Sequence, residues 1–201
     1  MSSLKTLLDQ AAAVECPPEI RNKIMEGALT CVKRWGINKT SLNDIAREAG
    51  CARQTVYNYY GSRDGVVLAA LLESSRQFAE RLLVHTQQFH GAPDRLTEAL
   101  LFCLQALPGE PYLQLLADPE LSPLFNQEMF SSELCSGVIT HVARDILSDT
   151  PELLEDAQEI GEIMTRILMS LLLIQGPLQR GPEELRALIK KRFLPGLLGN
   201  G

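Results

Sequence analysis

The stretch TSLNDIAREAGCARQTVYNYYGSRD, from Thr40 to Asp64, constrains the fold more than any other part of the chain. Ala46, Gly50 and Val56 fall at the spacing of a helix-turn-helix, two short helices that cross closely over a tight turn. Leu42, Ile45, Ala46 and Ala49 lay one narrow apolar stripe along the first of them. Ala46 is small where the two helices touch. Gly50 stands where the chain leaves the first helix, and a residue without Cβ takes the left-handed conformation that a sharp C-cap needs. Val56 returns an apolar side chain to that helix. The second helix, from about Ala52 to Tyr59, keeps Arg53, Gln54, Thr55, Tyr57 and Asn58 for its other faces, a set rich in hydrogen-bond donors and without a carboxylate.

Such a helix suits the major groove of double-stranded DNA. Placed there, Arg53, Gln54 and Thr55 near its start are best positioned for base edges, Arg suited to guanine and Gln to adenine. Tyr57 and Asn58 can read a base or a sugar. Thr40 or Ser41 can cap the first helix of the pair, and their hydroxyls also suit a phosphate oxygen. The formal net charge of −6 argues against binding nucleic acid by bulk charge, but its distribution does not. Between Pro17 and Gly65, eight bases (Arg21, Lys23, Lys33, Arg34, Lys39, Arg47, Arg53, Arg63) face five acids (Glu19, Glu26, Asp44, Glu48, Asp64), a balance of +3. The acidity lies downstream, where repulsion from phosphate does no harm.

Thr40-Ser41, Ile45-Ala46, Ala49-Gly50, Val56-Tyr57-Asn58-Tyr59-Tyr60 and Arg63-Asp64 together resemble the DNA-binding domain of TetR-family transcriptional regulators, over roughly Ile20 to Val67. Two positions depart from that family's habit, which places Phe at Tyr60 and Lys at Arg63. Tyr60 still fills an apolar seat if its hydroxyl finds water or a partner, and Arg63 keeps the positive charge in forked form. The resemblance implies phosphate contacts from Ser41, Tyr59 and Arg63. It also implies an all-α chain: an N-terminal arm over 1–16, a three-helix DNA-binding domain over 17–65, and a helical ligand-binding and dimerisation domain over 66–201. Repression is the family's usual habit, with release by a small-molecule inducer.

The remaining sequence is read as helical throughout. Pro17-Pro18 suits a helix start, and Ile20, Ile24, Ala28, Val32 and Trp35 keep helical spacing up to Gly36, with Cys31 adjoining. Ser62 can cap a long fourth helix running through Leu68, Leu71, Leu72, Phe78 and Leu82 towards Gln88. Leu96, Leu100, Leu104 and Leu107 mark another helix, and the prolines at 111, 119 and 123 predict short helices and turns. Glu133 to Leu147 follows. Pro151 is expected to open a helix to about Gln175, acidic at first (Glu152, Glu155, Asp156, Glu159, Glu162) and apolar nearly all round later. Glu184 to Phe193 forms the last helix.

One reading module of this size binds weakly, so two copies are expected. Ile167, Leu168, Leu171, Leu172, Leu185 and Leu188 offer an antiparallel four-helix contact between subunits, although the same side chains could be intrachain core. A two-fold homodimer implies a palindromic operator with half-site centres roughly 34–36 Å apart or a multiple of that. For the inducer that the resemblance implies, Phe78, Phe89, Phe102, Tyr112, Phe125, Met129, Phe130, His141 and Met164 could line an apolar pocket, each being also an ordinary core residue. Few charges interrupt Leu96 to Leu116, so an apolar small molecule is expected.

Five scattered cysteines, never in a CxxC pair, read as reduced thiols of a cytoplasmic protein without structural zinc. No cofactor is expected. Residues 1–16 read as an arm or short helix and not as an apolar signal core, and the run from Ile163 to Ile174 is too short to span a bilayer. An enzyme would need chemistry that is missing: no Gly-rich phosphate loop, no GxSxG, no HExxH, and no Glu three residues before His85, His90 or His141. A thiol-based redox regulator using Cys51, Cys103 and Cys135 is the alternative function, with buried inert thiols as its plain counterpart. An adaptor that does not bind DNA leaves Arg53 to Arg63 without a purpose.

Overall fold

Pro17 and Pro18 open the first helix among the described residues. The computed structural model describes residues 16–110, 133–174, 176, 178 and 180–199, the side chains of 133–135 aside. Among these the regular structure is helical, without a strand. The described residues up to Gln77 belong to one compact unit; Phe78 to Gly109 and those from 133 onward belong to a second. Residues 1–15 of the arm expected over 1–16, and the turns expected around Pro111, Pro119 and Pro123, lie outside the described residues.

In the first unit, α1 (Pro18–Trp35) buries Ile24, Met25, Ala28, Cys31 and Val32, the stripe that its spacing predicts. Gly36 at φ +78° ends it, donating its N–H to the Val32 carbonyl at 2.9 Å. The next helix, α2 (Leu42–Glu48), starts under Ser41, whose Oγ accepts the Asp44 N–H at 3.2 Å. Ile45 and Ala46 of α2 are buried, and Gly50 turns the chain at φ +65°. Then α3 (Arg53–Tyr60) sends Val56 fully into the core. The contact that brings α1 against this pair lies at Gly27. A Cβ there would stand 3.0 Å from the Ala49 nitrogen and 3.2 Å from the Ile45 carbonyl oxygen.

The long helix α4 (Arg63–Thr86) follows at once. Gly61 at φ +68° reverses the chain and Ser62 caps the new helix, its Oγ accepting the Gly65 N–H at 3.0 Å. Gly65 admits no side chain, since a Cβ would sit 2.4 Å from the Tyr60 carbonyl oxygen. Val66, Val67, Ala70 and Leu71 close the first core over α1 to α3.

The second unit is built on α5 (Ala92–Ala106), which buries Leu96, Ala99, Leu100, Leu101 and Cys103. Arg95 is 9% exposed, and its guanidinium donates to the carbonyls of Phe89 (2.9 Å) and Ile146 (3.2 Å) and to Ser148 Oγ (3.1 Å), with Asp149 at 3.3 Å. Helices α6 (Glu133–Ile146) and α7 (Ala157–Leu173) meet at Gly161, where a Cβ would stand 2.9 Å from Ile139 Cγ2. Two expectations need correction here. Pro151 opens only a 3₁₀ turn, Pro151–Leu153, and the α-helix begins six residues later at Ala157. The final segment is α8 (Pro182–Leu188), then a π-helical turn over Ile189–Phe193 and a short α9 (Leu194–Leu197). Ile189 and Leu194 are both buried. At about 100° per residue they would point some 140° apart on an α-helix, and the wider turn draws them to one side.

Candidate nucleic-acid interface

Val56 in the core fixes which face of α3 is left for a partner. Arg53, Gln54, Tyr57 and Asn58 are all exposed, Tyr57 to 52%, and their spacing puts them on one side of the helix. Thr55 is half-buried at the edge of this face. The Gln54 amide donates from Nε2 to Asn58 Oδ1 at 2.7 Å, one helical turn on. No carboxylate stands on α3, and nothing acidic opposes a phosphate or a base edge there.

The flanking positions are less free than the sequence suggests. Thr40, expected to offer its hydroxyl to phosphate, is 2% exposed and donates that hydroxyl to the Gly36 carbonyl at 2.8 Å; it shapes the turn between α1 and α2. Ser41 caps α2 and also donates its Oγ proton to Asp44 Oδ2 at 2.6 Å. Asp44 in turn accepts from Arg47 at 2.6 Å. The Ser41 hydrogen bond foremost, and then Arg47, hold the Asp44 carboxyl below its ordinary range. Arg63 donates from Nε to Asp64 at 2.7 Å and from Nη1 to the Ile37 carbonyl at 3.3 Å, tying the start of α4 to the loop after α1. Tyr59 and Tyr60 both pack against the core. Burial pushes the Tyr60 phenol up to about 12, so this ring is a core aromatic with a protonated hydroxyl.

Asp44 and Arg47 did not figure among the expected contacts. Their signal is present in Ser41-Leu42-Asn43-Asp44, a serine followed three residues later by a carboxylate, which marks a capping box.

With this geometry, residues 24–70 match the profile of the family described as bacterial regulatory proteins, tetR family. Residues 24–70 therefore form a tetR-family regulatory domain. Similar proteins extend the likeness beyond that domain. An uncharacterised HTH-type transcriptional regulator of Mycobacterium tuberculosis is 24% identical over 154 residues, covering 77% of this chain and 73% of that one. Among solved structures, the TetR family repressor AlkX from a Dietzia strain, implicated in biodegradation of n-alkanes, superposes with a TM-score of 0.65. That match has 20% identity over 90% of this chain and 96% of that one. The fatty acid degradation regulator FadR from Bacillus halodurans has a TM-score of 0.52 and 16% identity, over 92% and 97% of the two chains. The all-helical fold implied by the resemblance is the one observed among the described residues.

In the second unit, Phe78 and Phe102 stand together with ring centroids 5.6 Å apart. His85 stacks on Phe102 at 5.0 Å and meets Phe89 at 5.4 Å. His85 and Glu98 are not among the expected pocket residues; Glu98 is 8% exposed and lies 2.8 Å from Arg186. His141 does not join this cluster; its side chain is 76% exposed and lies 3.5 Å from Asp145 on the same helix. Met164 is half-buried on α7, and Tyr112, Phe125, Met129 and Phe130 lie outside the described residues. Ile167, Leu168, Leu171, Leu172, Leu185 and Leu188 are half-buried within the single chain, beside the exposed Leu173 and Ile174.

Burial pushes the Cys103 thiol up to about 12 and raises those of Cys31 and Cys51, which keeps the reactive thiolate scarce. Among the described residues, no group of three His, Cys, Asp or Glu side chains is arranged to hold a metal ion, and no helix is long and apolar enough to cross a membrane.

Proposed function

We propose that this regulator is a cytoplasmic repressor that binds a palindromic operator as a homodimer and is released by an apolar small molecule. Residues 17–65 would read DNA, and residues 66–201 would pair the copies and take the inducer. The observation that carries the reading is the exposed face of α3, where Arg53, Gln54, Tyr57 and Asn58 project while Val56 holds the helix in the core. Arg53, Gln54 and Thr55 would meet base edges, with Tyr57 and Asn58 beside them. Ser41, Tyr59 and Arg63 would lie along the phosphates, and Arg47 joins them because its side chain is 69% exposed and, among the described residues, is bonded to Asp44 alone.

Pairing through Ile167, Leu168, Leu171, Leu172, Leu185 and Leu188 is supported by their incomplete burial in the single chain. An apolar inducer is supported by the Phe78–Phe102–His85 cluster and by fold relatives named for n-alkane and fatty-acid degradation. Selection of binding sites from fragmented genomic DNA by the full-length protein tests the reading. An inverted repeat with half-sites about one helical turn apart is expected. Enrichment of no sequence at all would overturn it. Saturating long-chain alkane or fatty acid should then weaken operator binding, and moving a dimer population from 99:1 to 1:99 takes about 5.5 kcal/mol of differential binding.

A further inference from the structure

We propose that Gln54 and Asn58 form one reading unit specific for adenine, in which Asn58 is a positioning residue that fixes the Gln54 amide. This deepens the reading above and rests on α3 entering the major groove. A glutamine side chain on an exposed helix face is mobile, and its amide can present either a donor or an acceptor first. Here one of its two amide protons is held by Asn58 Oδ1 at 2.7 Å. Residues four apart lie one above the other on a helix, so the bond forms without disturbing the backbone. With that proton taken, Gln54 keeps one N–H and its Oε1, a donor beside an acceptor. Adenine shows the complementary pair in the major groove, the N7 acceptor beside the N6 amino donor. Guanine shows two acceptors at that edge, N7 and O6, and would leave Oε1 facing an oxygen.

Both residues are exposed on α3, and no carboxylate on the helix competes for the Gln54 amide protons. The Asn58 Nδ2 protons remain free for a neighbouring acceptor. Asn58 therefore sharpens a choice that Gln54 makes, without itself meeting the discriminated base.

The test uses full-length protein and fluorescence anisotropy on the operator obtained by site selection, together with all single-base variants of one half-site. Wild type is expected to prefer adenine at one position by roughly tenfold or more. Asn58→Ala should reduce that ratio several-fold, more than it changes the ratio at any other position. Gln54→Ala should remove it, with Asn58→Ala adding nothing further in the double variant. Asn58→Asp keeps the acceptor for Gln54 and adds a negative charge, so it should lower affinity on every sequence while retaining the adenine ratio. An adenine ratio unchanged in Asn58→Ala, or losses that simply add in the double variant, would overturn the pairing and leave operator reading intact. A wild-type protein that selects no sequence would overturn both.

Discussion

Arg53 and Arg47 carry the same charge and should fail differently when removed. Arg53 projects from the start of α3 without an acid on its own helix, so Arg53→Ala should cost about 1–3 kcal/mol of operator affinity and relax the preference at one base pair. Arg47→Ala should weaken binding on all sequences alike and lower the slope of log affinity against log salt by about 1. Titrations at several salt concentrations on operator and scrambled duplex separate the two behaviours. Asp44 supplies a pH dependence of folding. Its carboxyl is held below the ordinary value of 3.8, so the stabilisation is complete above that value and is lost as pH falls through the lowered one. The melting-temperature gap between wild type and Asp44→Asn, present at pH 7, should shrink below about pH 4. Arg53, Gln54, Tyr57 and Asn58 were legible as an outward set because Val56 names the inward side. The inward turn of Thr40 and the bond from Gln54 to Asn58 were not, since each is a choice of rotamer that spacing leaves open.

At the level of elements, most helices follow from their periodicity and their stops, with α1 running between Pro18 and Trp35 as its proline start and Gly36 predict. The failures have a common origin in tertiary contact. Gly27 lies within α1, where local propensity disfavours glycine by about 0.5–1 kcal/mol relative to alanine. Only the approach of Ala49 and Ile45 from elsewhere in the chain explains it. The π-helical turn at Ile189–Phe193 likewise answers to the burial of Ile189 and Leu194, not to any residue that prefers that winding. Pro151 was read as a helix start, a signal shared by 3₁₀ turns, and the sequence does not separate them. Gly65→Ala tests the tightest of these contacts. A methyl group 2.4 Å from the Tyr60 carbonyl oxygen forces the backbone apart, and a loss of about 1–3 kcal/mol in urea denaturation is expected.

For the whole molecule, the pairing proposed through the apolar C-terminal half of α7 is open to a direct test. Leu171→Glu or Leu172→Glu should give a folded monomer by sedimentation, with helical circular dichroism retained and operator affinity reduced by orders of magnitude. A dimer that persists in both variants would place the pairing surface elsewhere. Oxidation offers a second check at this scale. With Cys103 pushed up to about 12 by burial and Cys51 also raised, operator binding should be unchanged after treatment with peroxide.

The corner between α3 and α4 carries a mechanical consequence. Gly61, the Ser62 cap and the backbone pressed against Gly65 leave that joint without slack. A torque applied along the α4 shaft within the first unit is therefore delivered to the exposed face of α3, and α3 and the first turns of α4 pivot as one rigid crank.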